Sequence, residues 1–471
     1  MPEANRPDTF RDHGRAVIVG ASLAGLRAAE ALRAEGFAGT LTIIGDEAAE
    51  PYDRPPLSKM VLSGVVDADD LSLPVTPDLA AEWILGTAAT SLNPAARVVT
   101  LADGRHIPYD RLLICTGTRP RPWADPAEGA LEGVFVLRTH EDGRRLRARL
   151  EQKPHRVLIV GGGFIGCEVA SICRDLDLDV TLAERGGAPL ASALGGRAGV
   201  WAADLQRRHG VDLRLNTTVL SLEGEDEGKL VGARLSDGDR IAIDTAVIAL
   251  GAVRNVEWLD GAGLAVDHRG VACDATCRVF DANGMLTDDI FVAGDVSRWP
   301  LPLYDGQFLS VEHWNNAVEQ GRAAAHNMAC DPAQRRPHAG LPRFWSHQFD
   351  LVIKSIGLPT AGDQIIITEG SQDESRFVAV YGKDGKVVAA VAVDSPRALE
   401  AYVPMIEQAA AFPPQLHASD APDPHRVESA GFPPAGTTSH GSSGAPTGPG
   451  PSTSASSPAD DPREPAGSRA A

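Results

Sequence analysis

The sequence predicts an α/β fold built around two βαβ units, followed by a smaller α+β domain and a disordered tail. Two near-copies of a strand, glycine turn, helix and strand carry this expectation, together with a break in composition near Phe412. At 471 residues and 43% hydrophobic content, the chain is too long for one ordinary core. At about 100–200 residues per domain, it should divide into two to four.

The first unit runs from Arg15 to Gly45. AVIVG is the strand, ASLAG the turn, an alanine-rich run to Leu32 the helix, and TLTIIG the second strand. The turn from Gly20 to Gly25 is a GxGxxG variant with Ser22 in the middle position. A small residue there still allows a pyrophosphate to approach, and Leu23 and Ala24 open the helix whose unpaired amides would face it. Asp46 and Glu47, just past the second strand, are candidates for an adenosine ribose. An isolated glycine turn can equally be a tight turn without a ligand, but the flanking strand and helix argue for a site here.

The second unit starts at Arg156. RVLIV leads into GGGFIG, a full fingerprint containing Gly161, Gly163, Phe164, Ile165 and Gly166, and DVTLAE ends on Glu184. An acid at that position bonds a ribose 2′-hydroxyl and repels a 2′-phosphate. Glu184 therefore favours NADH over NADPH, although Arg185 beside it could partly offset that preference.

Downstream lie short strands in RLNTTV, LVGARLSDGD and RIAIDTAVIALG, the last ending at Gly251, a further candidate for cofactor binding, and then IFVAGD, ending at Asp295. From Leu341 the pattern changes to QIIIT, RFVAVY and KVVAAVAV, with a KDGK hairpin between the last two. Beyond Phe412 the chain is rich in Pro, Ser, Gly and Ala, too poor in large apolar residues to offset the entropy of ordering.

A net charge of −19 with 5% aromatic residues disfavours a nucleic-acid binder. The opening segment is polar, and no run approaches the roughly 18 apolar residues of a spanning helix, so no membrane partner and a cytoplasmic location are expected. None of the six cysteines forms a CxxC pair. Cys273 and Cys277 make a CxxxC with no evident partner, so no metal site is expected.

Several segments are more specific. RLLICTGTRPR, containing Thr116 and Gly117, follows a DGRHIPYD hairpin, and Asp295 sits after a buried strand, where it could also serve as a helix cap. These features resemble the oxygenase-coupled ferredoxin reductases related to putidaredoxin and rubredoxin reductases, FAD- and NAD(P)H-dependent enzymes with two Rossmann-like, glutathione-reductase-like domains. The resemblance covers about residues 14 to 410. It is carried above all by PYDRPPLSK at 51–59, EHWNNAVEQG at 312–321 and FWSHQF at 344–349.

The resemblance implies FAD at the first unit and NADH at the second. Residues 14–120 with 251–330 would form the FAD domain, 121–250 the NAD(H) domain, 331–411 the C-terminal domain and 412–471 the tail. It places Arg54, Lys59, Ala89, Arg138, Asp295 and Trp314 at FAD, with Ala24 and Asp46. Lys59 would pair with Glu168, and Trp345 would approach the flavin and nicotinamide. His347 stands where the family usually has an acid. Read from the residues alone, Glu168 could be dipole compensation, Lys59 a solvated side chain and the Phe–Trp pair an interface plug.

Disulfide reductases of this fold carry a CxxxxC soon after the first unit, whereas here no cysteine occurs between Asp46 and Ile114. The resemblance therefore implies hydride transfer from NADH to FAD and single-electron release to a ferredoxin-type iron–sulfur protein that feeds an oxygenase. An NADH oxidase or peroxidase and a redox-sensing protein resembling apoptosis-inducing factor are the rivals. An acidic carrier would need a basic patch, for which Arg144, Arg145, Arg147 and Arg149, or Arg335, Arg336 and Arg343, are candidates.

Overall fold

A computed structural model describes residues 10–414; the tail expected from the sequence lies outside the described residues beyond 414. In the first unit, strand Arg15–Val19 is flanked by parallel strands Thr40–Ile44 and Arg111–Ile114. Strand Leu286–Val292 joins beside Arg111–Ile114, so residues far along the chain complete the same sheet. The full order is 278–280, 286–292, 111–114, 15–19, 40–44, 82–84. Val19 pairs with both Ile44 and Ile114, and Ile114 with Val292, so the carboxyl ends lie level. Gly20, Gly45, Cys115 and Ala293 emerge at one edge, the place where open α/β sheets bind ligands.

Helix Leu23–Ala34 covers this sheet and packs against helix Trp314–Ala329. Small residues make the close approach possible. A Cβ on Gly321 would lie 2.6 Å from the Ala24 carbonyl oxygen, and Ala24, Ala28, Ala317, Ala324 and Ala325 are buried around it. The alanine-rich sequence of the first helix thus reflects a helix–helix contact.

The second sheet has the order 212–215, 180–184, 157–160, 245–248, 134–135 and is entirely parallel. Helix Phe164–Asp175 follows its central strand Val157–Val160. The last sheet is antiparallel, in the order 343–348, 351–357, 386–393, 376–383, 364–371, with the KDGK turn joining Arg376–Lys383 to Lys386–Val393. Its edge strand Arg343–Gln348 packs on helix Phe164–Asp175 and so brings the C-terminal sheet to the second unit. Among the described residues, no helix is long and apolar enough to cross a membrane, and no group of three His, Cys, Asp or Glu could hold a metal.

One buried histidine, His338, and one half-buried, His313, are expected to make the fold sensitive to acid. Burial pushes His313 and His338 down to about 4. An unfolded imidazole titrates near about 6.5, so between these values the unfolded chain binds more protons than the folded one. Stability is therefore full above about pH 6.5 and falls as pH drops toward 4. Thermal melts at pH 7 and pH 5 should show a smaller acid loss in His338→Asn than in the wild type, and equal losses would exclude His338 as a source.

Candidate active site

The glycine turns are set by backbone clearance. Gly20 has φ +125°, and a Cβ there would lie 2.1 Å from the Cys115 carbonyl oxygen; Gly161, at φ +107°, would meet the Ala249 carbonyl oxygen at 2.4 Å. Gly163 has open space where its Cβ would be, at the cap of helix Phe164–Asp175. In the first turn Ser22 caps helix Leu23–Ala34 without a side-chain hydrogen bond, leaving its hydroxyl uncommitted at the cavity edge.

Glu184 is anchored at the second turn. Its Oε2 accepts from the Gly162 amide at 2.7 Å and its Oε1 from the Gly186 amide at 2.6 Å. Each carboxylate oxygen retains a lone pair for a ribose hydroxyl.

A cleft beyond the first sheet is lined by Gly20, Ser22, Asp46, Glu47, Ala89, Thr116, Gly117 and Arg138. It adjoins a second cavity lined by Ser22, Leu23, Ala24, Arg54, Lys59, Arg138, Phe164, Ile165, Glu168, Asp295, Trp314 and Trp345. The structure thus collects nearly all the residues expected for the first dinucleotide. Gly251 lines neither space; its carbonyl accepts from the Arg121 amide beside the ribbon of strands Thr118–Pro120 and Ala252–Arg254.

Charged groups hold the cavity walls. Glu47 is bound to the Tyr52 hydroxyl at 2.6 Å and to Arg54 at 2.5 Å, and Arg54 also donates to the Arg138 carbonyl. Burial alone would push Glu47 up, but Arg54 and Tyr52 outweigh it and hold the carboxylate below its usual range. Glu47 therefore also braces the PYDR segment, which leaves Asp46 as the exposed acid of the pair. Asp295 pairs with Arg138 at 3.2 Å; it caps no helix, because strand Ser297–Leu301 follows it.

Lys59 and Glu168 meet at the boundary between the two units. Lys59 Nζ lies 2.6 Å from Glu168 Oε2, with side chains only 16% and 4% exposed. The dipole and solvated-lysine readings therefore give way to a buried pair. Trp345 stands edge-on to Trp314, with ring centroids 6.2 Å apart, and Trp314 donates to Asp53 Oδ1 at 2.8 Å. Phe344 packs on Phe164, at 4.5 Å between centroids. The aromatic pair thus divides its work: Phe344 plugs the interface and Trp345 lines the cavity. His347, on the same face of the strand as Trp345, is pushed below its ordinary value first by burial and then by Lys59.

Sequence reasoning missed Ser58, Ser346, Asp53 and the Arg254–Glu312 pair at 2.8 Å. Asp53, Ser58, Glu312 and Ser346 lie inside the motifs quoted above, but their partners are far away in the chain and no local pattern pairs them. All six cysteines are buried with free thiols, and burial pushes Cys115, Cys167 and Cys277 far up and Cys173 up to about 12. None can act as a thiolate near neutral pH. The candidate arginines do not form a patch at the cavity. Arg144 pairs with Asp69 and Glu141, Arg147 with Glu151, Arg149 with Asp244 and Arg343 with Glu400, while Arg335 is buried over Phe291.

The residues fit a flavin dinucleotide in the first space and a nicotinamide dinucleotide at the second turn. Arg138 Nε and His313 Nδ1, both on the cavity wall, are buried without a partner among the described residues. Polar atoms in that condition suit a polar ligand. The profile of the pyridine nucleotide-disulphide oxidoreductases matches residues 14–321, and that of the reductase C-terminal domain matches 343–425. The chain belongs to the pyridine nucleotide-disulphide oxidoreductase family.

Within this family, the chain is 37% identical over 407 residues to a probable ferredoxin reductase of Castellaniella defragrans, covering 83% of this chain and 93% of the relative. It is 34% identical over 387 residues to putidaredoxin reductase of Pseudomonas putida, covering 81% and 88%. Its fold is similar to that of the reductase in a crystal structure of the covalent putidaredoxin reductase–putidaredoxin complex, with a TM-score of 0.78, 31% identity and coverage of 84% and 94%.

Proposed function

We propose that the protein is an NADH-dependent FAD flavoprotein that passes single electrons to a ferredoxin-type iron–sulfur protein serving an oxygenase, in the cytoplasm. One observation carries the reading: the Lys59–Glu168 pair joins the cavity beside the first unit to the helix of the second glycine turn, with no reactive thiol beside it. FAD, when bound, supplies the conversion of one two-electron donation into single electrons.

This reading assigns 14–120 with 251–330 to FAD, 121–250 to NAD(H) and 331–411 to the C-terminal domain. Gly20, Ser22, Leu23, Ala24, Asp46, Ala89, Thr116, Gly117, Arg138 and Asp295 hold FAD, and Glu47 with Arg54 keeps that wall in place. Gly161, Gly163, Phe164, Ile165 and Gly166 hold the nicotinamide dinucleotide. Lys59, fixed by Glu168, places a positive charge where negative charge grows on reduction. Trp314 and Trp345 exclude water from the meeting point.

The test is NADH-driven cytochrome reduction with and without a panel of ferredoxins. Reduction should require a ferredoxin; rapid oxygen consumption without any carrier would point instead to an oxidase. Glu184 supplies a separate prediction. In Glu184→Ala, kcat/KM for NADH should fall by about tenfold to a hundredfold, one or two lost hydrogen bonds, and the NADH/NADPH ratio should narrow. An unchanged ratio would remove Glu184 from coenzyme choice.

A further inference from the structure

The C-terminal sheet reaches the same pair through a buried chain of side chains. Glu168 Oε2 accepts from Lys59 at 2.6 Å and from the Ser58 hydroxyl at 2.5 Å, while Oε1 accepts from the Ser346 hydroxyl at 2.6 Å. Gln348 Nε2 donates to Ser346 Oγ at 3.2 Å, and Gln206 Nε2 donates to Gln348 Oε1 at 3.1 Å. Ser346, Gln348 and Gln206 are all fully buried.

An ionised carboxylate only accepts, so Ser346 must spend its single proton on Glu168 and take a bond from Gln348. The Gln348 amide is thereby oriented, and its oxygen faces Gln206 on helix Ala191–Arg208. Every donor in the chain points toward the carboxylate. Such one-directional chains strengthen each link in a low-dielectric interior.

We propose that Ser346, backed by Gln348 and Gln206, is a positioning residue for hydride transfer, fixing the second oxygen of Glu168 and through it Lys59. The C-terminal sheet thus completes the reaction site from behind. This rests on the function proposed above.

The other groups near Glu168 are Cys167 on its own helix and His347 on the C-terminal strand. Asp53 faces Lys59, and Lys354 and Asp394 face His347. Ser346 donates to Oε1.

Ser346→Ala removes that donor and leaves Oε1 of Glu168 unheld. The limiting rate of flavin reduction by NADH in stopped flow should fall about tenfold, the rate equivalent of one charge-assisted hydrogen bond, while the NADH concentration at half the limiting rate stays unchanged. Ser346→Thr, which keeps the hydroxyl, should restore the rate. Gln348→Met should lower the limiting rate by a smaller amount, and it decides the matter if Ser346→Ala fails to load FAD. A wild-type limiting rate in both variants, with only a lower Tm, or a Ser346→Thr protein as slow as Ser346→Ala, would overturn the proposal. Failure of NADH to reduce the wild-type flavin would instead overturn the functional reading.

Discussion

Glu168→Gln should slow reduction of bound FAD by NADH roughly a hundredfold while leaving FAD content near one per chain. A hundredfold corresponds to about 2.7 kcal/mol of barrier. Breaking a buried ion pair by removing one partner costs about 3–5 kcal/mol, because the remaining charge is left desolvated. Here that charge is Lys59, whose other contacts are the Pro55 carbonyl at 3.2 Å and the Ser58 hydroxyl at 3.4 Å. Neither replaces a carboxylate, so the ammonium is free to swing away from the reacting edge.

FAD retention should survive because Glu168, on the helix of the second glycine turn, lines the cavity where the two units meet and is absent from the cleft lined by Gly20, Asp46, Thr116 and Arg138. Stopped-flow reduction at saturating NADH, together with the flavin-to-protein ratio, separates the two effects. A normal reduction rate would show that the pair is only structural. Loss of FAD together with the rate would show that Glu168 holds the fold of the cavity instead.

The parts of this site that could be read in the sequence are those whose chemistry is local. Val17, Ile18 and Val19 are buried, as an apolar run before a glycine predicts for a parallel strand covered on both faces. The turn glycines were legible for the same reason, since the constraint on each comes from a strand, a turn and a helix adjacent in the chain. The pairing of Lys59 with Glu168 spans 109 residues, and that of Ser346 with Glu168 spans 178. No periodicity reports a contact at such separation. The first became legible through resemblance to a family, and the second did not.

Charge runs misled for a related reason. Arg144, Arg147 and Arg149 look like a basic face in sequence, but their carboxylate partners lie at Asp69, Glu151 and Asp244. Arg335 reads as exposed beside Arg336, yet its guanidinium lies over the Phe291 ring of the first sheet. A run of like charge specifies a surface only when its neighbours in space are known.

Gly25→Ala should leave a protein that folds in its second unit yet purifies without FAD, and Gly166→Ala should do the reverse, keeping FAD but losing reduction by NADH. The two positions are geometric twins. A Cβ on Gly25 would lie 2.0 Å from the Gly20 carbonyl oxygen, and one on Gly166 would lie 2.0 Å from the Gly161 carbonyl oxygen. Neither glycine has a positive φ, so the obstacle is space alone. The blocking atom in each case is backbone, which cannot rotate aside. Relief requires the helix to retreat from its strand by about 1 Å, and overpacking of this kind costs about 1–3 kcal/mol or more. The same retreat withdraws the first-turn amides from a pyrophosphate, whose binding depends on close backbone approach. Each substitution therefore acts on one dinucleotide and spares the other, because the two turns belong to different sheets. The flavin-to-protein ratio and the NADH reduction rate of both variants check this. A Gly25→Ala protein carrying a full complement of FAD would mean that the first turn does not hold the pyrophosphate, and the assignment of the two sites would have to be reversed.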